Sequence, residues 1–302
     1  MPLQRVLVRV PASTSNLGPG FDALGLALGL QTSLTAEPAE ATELTIRGEG
    51  AAQLPRGSEN LILRRMRQLA ELLGHRLPPL RIDVLSGIPL ERGLGASGAA
   101  SLCGLLAANV LLDGGLDRQA LLELAVRLEG HPDNVTPSLL GGCTVSAIDG
   151  QRVIALRVPW SDTLRVALCV PELAMPTEAA RALLPPVYSR ADAAYNIQRV
   201  GLLVAALASG SYDALRTAVE DRLHQPYRAA MFPALPDVIG AAHAAGAYGA
   251  FLSGAGSTVA AIADHGQAEA VAVAMSEAVR RHGLRCRSSV CAVDHAGATV
   301  LE

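Results

Sequence analysis

Lysine is absent from this 302-residue chain: all twenty-five of its basic residues are arginine. With alanine in excess this fits a GC-rich coding sequence, but the chemical consequence holds regardless. No lysine is present to form a Schiff base, act as a general base or complete a G-x-x-x-x-G-K-[ST] phosphate loop. Cysteine is scarce too. The five (Cys103, Cys143, Cys169, Cys286, Cys291) are scattered, with no C-x-x-C pair. That argues against a metal cluster or disulfide framework and for a reducing, cytoplasmic setting. The opening Met1-Pro-Leu-Gln-Arg-Val lacks the apolar core of a signal peptide. The segment nearly free of charge, Val238–Ala263, holds five glycines, His243 and Tyr248, so it reads as buried and not membrane-spanning. A formal charge of -3 gives no reason to expect nucleic acid or an anionic membrane as partner.

Half the residues are apolar and 18% are charged, an ordered globular composition whose length suits two domains. Val6, Val8 and Val10 alternate as a strand expected to end at Pro11, and alternation resumes over Ala23–Thr35 and at Leu44 and Ile46. Asn60 opens a helical pattern (Ile62, Met66, Leu69, Leu73) that Gly74 stops. Leu80, Ile82 and Val84 form a strand, and a helix then runs to about Leu112. Asp117 caps another helix ending at Gly130. Strands are expected near 142–148, 151–158, 164–170, 248–252, 288–294 and 297–301. Helices are expected near 177–184, 190–209, 211–221, 236–245 and 267–282. This order is no regular βαβ alternation. It predicts an α+β fold of two domains, 1–158 and 159–302.

Pro89-Leu-Glu-Arg-Gly-Leu-Gly-Ala-Ser-Gly-Ala-Ala100 carries the strongest chemical signal. A glycine-rich turn runs into a small-residue helix, whose free N–H groups and positive dipole end suit a phosphate. Gly93 to Gly98 is a literal G-x-G-x-x-G, but a dinucleotide fold needs a parallel strand after the helix, ending in an acidic residue. Asp113 has the spacing and lies in a turn between two helical patterns, so that reading fails. A plain helix-packing turn explains Ala99, Ala100 and Gly104. It does not explain Pro89, Gly93, Gly95 and Ser97 together. With a second glycine-rich segment, Leu252–Val259, and the loop Pro11–Asp22, the pattern points to an ATP-dependent kinase acting on a small polar molecule.

These residues resemble the GHMP kinase superfamily motif P-x-x-x-G-L-G-S-S-A-A. Pro89, Gly93, Leu94, Gly95, Ser97 and Ala99 fit, while Ala96 replaces the first serine and Gly98 another small residue. Within the superfamily, Pro11–Asp22 and Leu128-Glu-Gly-His-Pro-Asp-Asn-Val135 resemble the homoserine kinase family, over nearly the whole chain. The resemblance implies a ribosomal-S5-like N-terminal domain and a ferredoxin-like C-terminal domain. It also implies ATP-dependent phosphorylation of the side-chain hydroxyl of L-homoserine in threonine biosynthesis, with Mg²⁺, in enzymes commonly dimeric.

Roles follow by the same resemblance. Pro89, Leu90, Glu91, Arg92, Gly93, Leu94, Gly95, Ala96, Ser97, Gly98 and Ala99 would cradle the nucleotide. Gly254 and Gly256 would support it, and Ser97 and Glu129 would share the metal. Asn60 would sit near the adenine, though helix capping explains it equally well. Asn16, Asp22, His131 and Asn134 would surround the amine and hydroxyl, with Thr177, Arg181 and Arg228 at the α-carboxylate. Asp22 and Asn134, with Ser97 and Glu129, are the catalytic candidates. His131 is an alternative base, although a histidine before proline at a helix end is commonly structural. Glu129 ends a helix whose dipole disfavours its charge, a cost that a nearby cation would offset. Two competing readings stay open: another small-molecule kinase of the superfamily, and a silent relative that binds nucleotide without turnover.

Overall fold

The computed structural model describes residues 5–301. Met1–Gln4, the start of the segment read above as lacking a signal, and Glu302 lie outside them. The first sheet contains β1 (Val6–Ser15), β2 (Leu24–Pro38), β3 (Glu43–Gly48), β4 (Leu80–Ser86), β5 (Cys143–Asp149) and β6 (Arg152–Val158). A second, four-stranded antiparallel sheet contains β7 (Leu164–Pro171), β8 (Gly249–Leu252), β9 (Val259–Asp264) and β10 (Cys286–Cys291), in the order β10-β7-β9-β8. The last strand, β11 (Thr299–Leu301), returns to the first sheet and pairs antiparallel with β1.

The alternation of Val6, Val8 and Val10 works as expected: all three are fully buried. The strand does not stop at Pro11. It runs on to Ser15, with a register break against β2 between Pro11 and Ala12. A proline cannot donate to the ladder, and an irregularity is where a sheet tolerates one. That continuation carries Ser13 and Ser15 into the space beside the glycine-rich turn.

Helices α2 (Ala96–Leu111) and α4 (Val135–Leu140) pack on this sheet, α3 (Arg118–Glu129) lies against β6, and α1 (Leu61–Leu72) packs on α2. Met66 and Leu69 of α1 are fully buried, each worth roughly 1.5–3 kcal/mol of transfer from water. Gly104 lets α1 and α2 close together, since a Cβ there would lie 2.6 Å from the Ile62 carbonyl oxygen. Asp117 caps α3 through the Ala120 N–H at 2.8 Å, and Gly130 ends it at φ 86°.

Beyond β7 come α5 (Thr177–Ala182), α6 (Arg190–Ser209), α7 (Leu215–Ala218) and α8 (Gln225–Arg228). Then α9 (Leu235–Ala244) and α10 (Ala268–Arg281) cover the second sheet. The helix expected over 211–221 is instead a 3₁₀ turn, Tyr212–Ala214, followed by the four residues of α7. β9 had no sequence signal. Its residues are buried on both faces up to Ala263, which removes the apolar-polar alternation of a half-exposed strand. The short α4 and α8 were equally unmarked. The last strand of the first sheet before the change, β6, ends at Val158 and β7 of the second sheet begins at Leu164, while β11 crosses back to pair with β1.

Candidate active site

The turn before α2 is clasped by both halves of the chain. Gly93 (φ 71°) lies so close to Ser253 that a Cβ would meet its carbonyl oxygen at 1.9 Å. Ser253 Oγ donates to the Gly93 carbonyl at 2.6 Å, and the Thr258 N–H donates to that of Arg92 at 3.2 Å. Gly95, also left-handed at φ 70°, precedes α2 and provides no side-chain cap. Ala99 is the first residue to donate within the helix, to Gly95. The N–H groups of Ala96, Ser97 and Gly98 therefore have no acceptor among the described residues. Helices α1, α3 and α6 each carry a side-chain cap, from Asn60, Asp117 and Ser189. The bare end of α2 has the free N–H groups and the dipole sign that suit an anion.

Glu129 at the C-terminal end of α3 faces that bare end. One carboxylate oxygen accepts from Ser97 Oγ at 2.8 Å, the other from Ser101 Oγ at 2.6 Å and Arg65 at 2.7 Å. Arg65 also donates to the Leu128 carbonyl at 3.1 Å. Its charge offsets the cost of a carboxylate at this helix end. Burial pushes the Glu129 pKa up, but hydrogen bonds from Ser101, Arg65 and Ser97 outweigh it and hold the group below its ordinary value. Oxygens 2.8 Å apart fit neighbouring ligands of an octahedral Mg²⁺, whose bonds of 2.0–2.1 Å put adjacent oxygens about 3 Å apart.

The loop between β1 and β2 holds three non-glycine residues at positive φ: Asn16, Leu17 and Asp22. Such strain persists only where surroundings fix it. Here Asn16 Nδ2 donates to the Gly254 carbonyl at 3.2 Å while its Oδ1 takes the Asp22 N–H at 3.1 Å. Asp22 then pairs with Arg181 of α5, which donates at 3.0 and 2.6 Å. Those hydrogen bonds raise the Arg181 pKa against partial burial. Arg228 is 2% exposed and donates to the Gly254 carbonyl at 2.8 Å. Burial and the neighbouring Arg181 lower it to about 10. Asn134 bridges Ser13 and Ser15 at 3.0 and 3.1 Å. His131 Nδ1 lies 2.5 Å from the buried Asp133 carboxylate. Burial lowers the His131 pKa, yet the Asp133 contact raises it further, and the net shift is upward.

Two cavities meet across this turn. One, about 400 Å³, is lined by Asn16, Asp22, His131, Asn134, Thr177, Arg181, Arg228 and Gly254, together with Pro89, Glu91–Gly98 and Glu129. The other, about 370 Å³, is more apolar, lined by Ile46, Leu54, Ile62, Val84 and Leu90. They share Glu91, Ala96 and Ser97. Asn60 lies at the apolar cavity, but its amide caps Ile62 N–H at 3.0 Å and donates to the Pro55 carbonyl at 2.7 Å, which commits both ends to the protein. Two of the cradle candidates lie outside both cavities. Ala99 is fully buried in α2, and Gly256 packs with no room for a Cβ against Met175.

Arg65, Ser101 and Asp133 had not been singled out. Arg65 did carry a signal: it falls between Ile62 and Leu69 on the apolar face of α1, where a surface arginine does not belong. Asp133 was visible only within the His131–Asn134 segment.

The GHMP kinases N terminal domain model matches residues 60–142, and the GHMP kinases C terminal model matches 203–281. A homoserine kinase of Desulfitobacterium hafniense is 40% identical over 98% of this chain and 100% of its own length. One of Trichormus variabilis is 42% identical over 97% and 98% respectively. The chain belongs to the homoserine kinase family of GHMP kinases. Among solved structures, that of homoserine kinase from Cytophaga hutchinsonii superposes with a TM-score of 0.87 at 26% identity, covering 98% of this chain and 97% of that one. The L. major mevalonate kinase complex shares the fold at a TM-score of 0.72 and 15% identity, over 95% and 96%. The α+β kinase fold expected from the sequence is thereby established. Among the described residues no helix is long and apolar enough to cross a membrane.

Proposed function

We propose that this chain transfers the γ-phosphoryl group of ATP to the side-chain hydroxyl of L-homoserine, giving O-phospho-L-homoserine and ADP in threonine biosynthesis. Arg228 carries the reading of the substrate. A guanidinium 2% exposed, with no carboxylate in salt-bridge range among the described residues and an unpartnered Nε, is costly unless an anion joins it. Arg181 stands in the same cavity, and Asp22 supplies the opposite charge. One carboxylate beside two guanidiniums suits a zwitterionic amino acid.

The free N–H groups of Ala96–Gly98 bind the nucleotide phosphates, and the apolar cavity behind Ala96 and Ser97 takes the base. Ser97 and Glu129 would hold a Mg²⁺ ion, which when bound neutralises phosphate charge. Asp22 takes the substrate ammonium, with Asn16 fixing its backbone. Arg181, Arg228 and Thr177 take the carboxylate. Asn134 and His131 border the hydroxyl. As the hydroxyl oxygen bonds to the γ-phosphorus, the bond to the β-phosphate oxygen breaks and the hydroxyl proton passes late to a γ-phosphate oxygen. Positioning and charge supply the catalysis. Five free cysteines support a cytoplasmic setting.

The test is ADP release by purified protein with Mg²⁺–ATP and L-homoserine, homoserine lactone or mevalonate. Turnover is expected with homoserine alone of the three. Preference for mevalonate would assign a different superfamily substrate, and binding without ADP release would mark a silent relative.

A further inference from the structure

His224 has no role in the chemistry assigned above, yet it is 0% exposed beneath the substrate-binding groups. Its Nδ1 is 3.1 Å from an Arg228 terminal nitrogen, and its Nε2 is 2.7 Å from the Gly18 carbonyl oxygen. A guanidinium can only donate and a carbonyl can only accept. The ring must therefore accept at Nδ1 and donate at Nε2, which fixes a neutral imidazole in one tautomer. Burial lowers its pKa, in keeping with a neutral ring.

The ring ties the β1–β2 loop to Arg228, which lines the substrate cavity, and the buried Asp221 carboxylate lies 3.6 Å from Nε2. Gly18 stands at φ 85° with its Cα so close to α7 that a Cβ would lie 2.1 Å from the Val219 carbonyl oxygen. Phe21 stacks 5.4 Å from His224, and its ring also receives Arg181 at 5.3 Å and Arg228 at 5.5 Å. The backbone beneath is held by the buried Asp221 carboxylate, which accepts from the N–H groups of Leu223, His224 and Gln225 at 2.8, 2.9 and 2.6 Å. Without His224, Arg228 keeps one hydrogen bond, to Gly254.

We propose that His224 is a positioning residue for substrate recognition: through one neutral tautomer it aims the Arg228 guanidinium at the substrate carboxylate and ties that aim to the Gly18–Asp22 loop. The proposal rests on the assignment of Arg228 to the carboxylate. The role differs from filling space, because only a side chain that accepts on one edge and donates on the other performs it. Glutamine can do so, with Oε1 toward Arg228 and Nε2 toward Gly18, whereas leucine fills similar volume and does neither.

The experiment measures kcat, KM for L-homoserine, KM for ATP and melting temperature for wild type, His224→Leu, His224→Gln, Arg228→Met and the His224→Leu/Arg228→Met double variant. His224→Leu is expected to raise the homoserine KM on the order of tenfold, the worth of one charge-assisted hydrogen bond, with kcat and ATP KM within about twofold. His224→Gln should recover most of the loss. On the Arg228→Met background, His224→Leu should add almost nothing, as for a residue that acts through another. Additive effects in the double variant, or a His224→Gln as poor as His224→Leu at equal melting temperature, would overturn the proposal. An Arg228→Met variant with unchanged homoserine KM would instead overturn the carboxylate assignment beneath it.

Discussion

Arg181 grips Asp22 across 159 positions of sequence with two hydrogen bonds of 3.0 and 2.6 Å. The pair joins the β1–β2 loop of the first domain to α5 of the second, and both side chains are about one-third exposed in the substrate cavity. Asp22→Asn is expected to raise the homoserine KM by about 10–100-fold, the range for a charged hydrogen-bond partner, and to leave ATP KM near wild type. Steady-state kinetics checks this. An intact kcat would exclude a proton-accepting role for Asp22, and a fall in kcat at unchanged KM would contradict its assignment to the ammonium.

Glu129 and Arg65 form the most deeply buried of the arginine–carboxylate pairs, with side chains 9% and 8% exposed. Glu129→Gln strands the Arg65 charge and should cost about 3–5 kcal/mol in denaturant unfolding, besides its effect on activity. The pH dependence has a defined sign. Because the folded pKa is depressed, the carboxylate stabilises the protein above its ordinary value of 4.5 and loses that contribution as pH falls through the lower folded value. A wild-type stability advantage over Glu129→Gln that did not shrink in this acid range would refute the assignment.

His131 should titrate above its ordinary 6.5, because the Asp133 contact outweighs burial. Its contribution to stability is then complete below 6.5 and disappears as pH rises through the folded pKa. In Asp133→Asn burial and the Arg181 charge lower the pKa against the Asp22 charge alone, and the imidazole should titrate lower than in wild type. Following the His131 ring protons by NMR across pH in both proteins checks the direction of each shift.

Gly93 and Gly95 share a left-handed φ and differ in what a side chain would strike. At Gly93 the obstacle is the Ser253 backbone at 1.9 Å; at Gly95 it is the Ser13 hydroxyl at 2.2 Å, which can rotate away. Both alanine variants carry roughly 1–2 kcal/mol of backbone strain. Gly93→Ala must also part the two domains' loops, so it should lose more stability and raise ATP KM more than Gly95→Ala. Equal effects in thermal melts and ATP titrations would count against the close approach.

The elements that the sequence made legible are those written in local chemistry. Asn60 before Ile62 and Asp117 before the α3 pattern mark helix starts because a side-chain oxygen reaches an N–H only two or three residues away. The glycine-rich turn was equally readable, since Gly93 and Gly95 need the backbone freedom that only glycine gives freely. β9 was not, because burial on both faces erases the alternation that a strand shows when one face meets water.

Residue order alone thus determined the uncapped helix after Gly95, the lack of any lysine for catalysis and the charges available for an amino acid. Only the folded molecule decided how those charges pair. Arg65 finds Glu129, Arg181 finds Asp22, and Arg228 comes to rest against His224 and Gly254. Capping and turn preferences act within a few residues, where the chain itself holds the partners together. Ion pairs between residues 64 or 159 positions apart form only after packing has brought their backbones into reach and removed competing water.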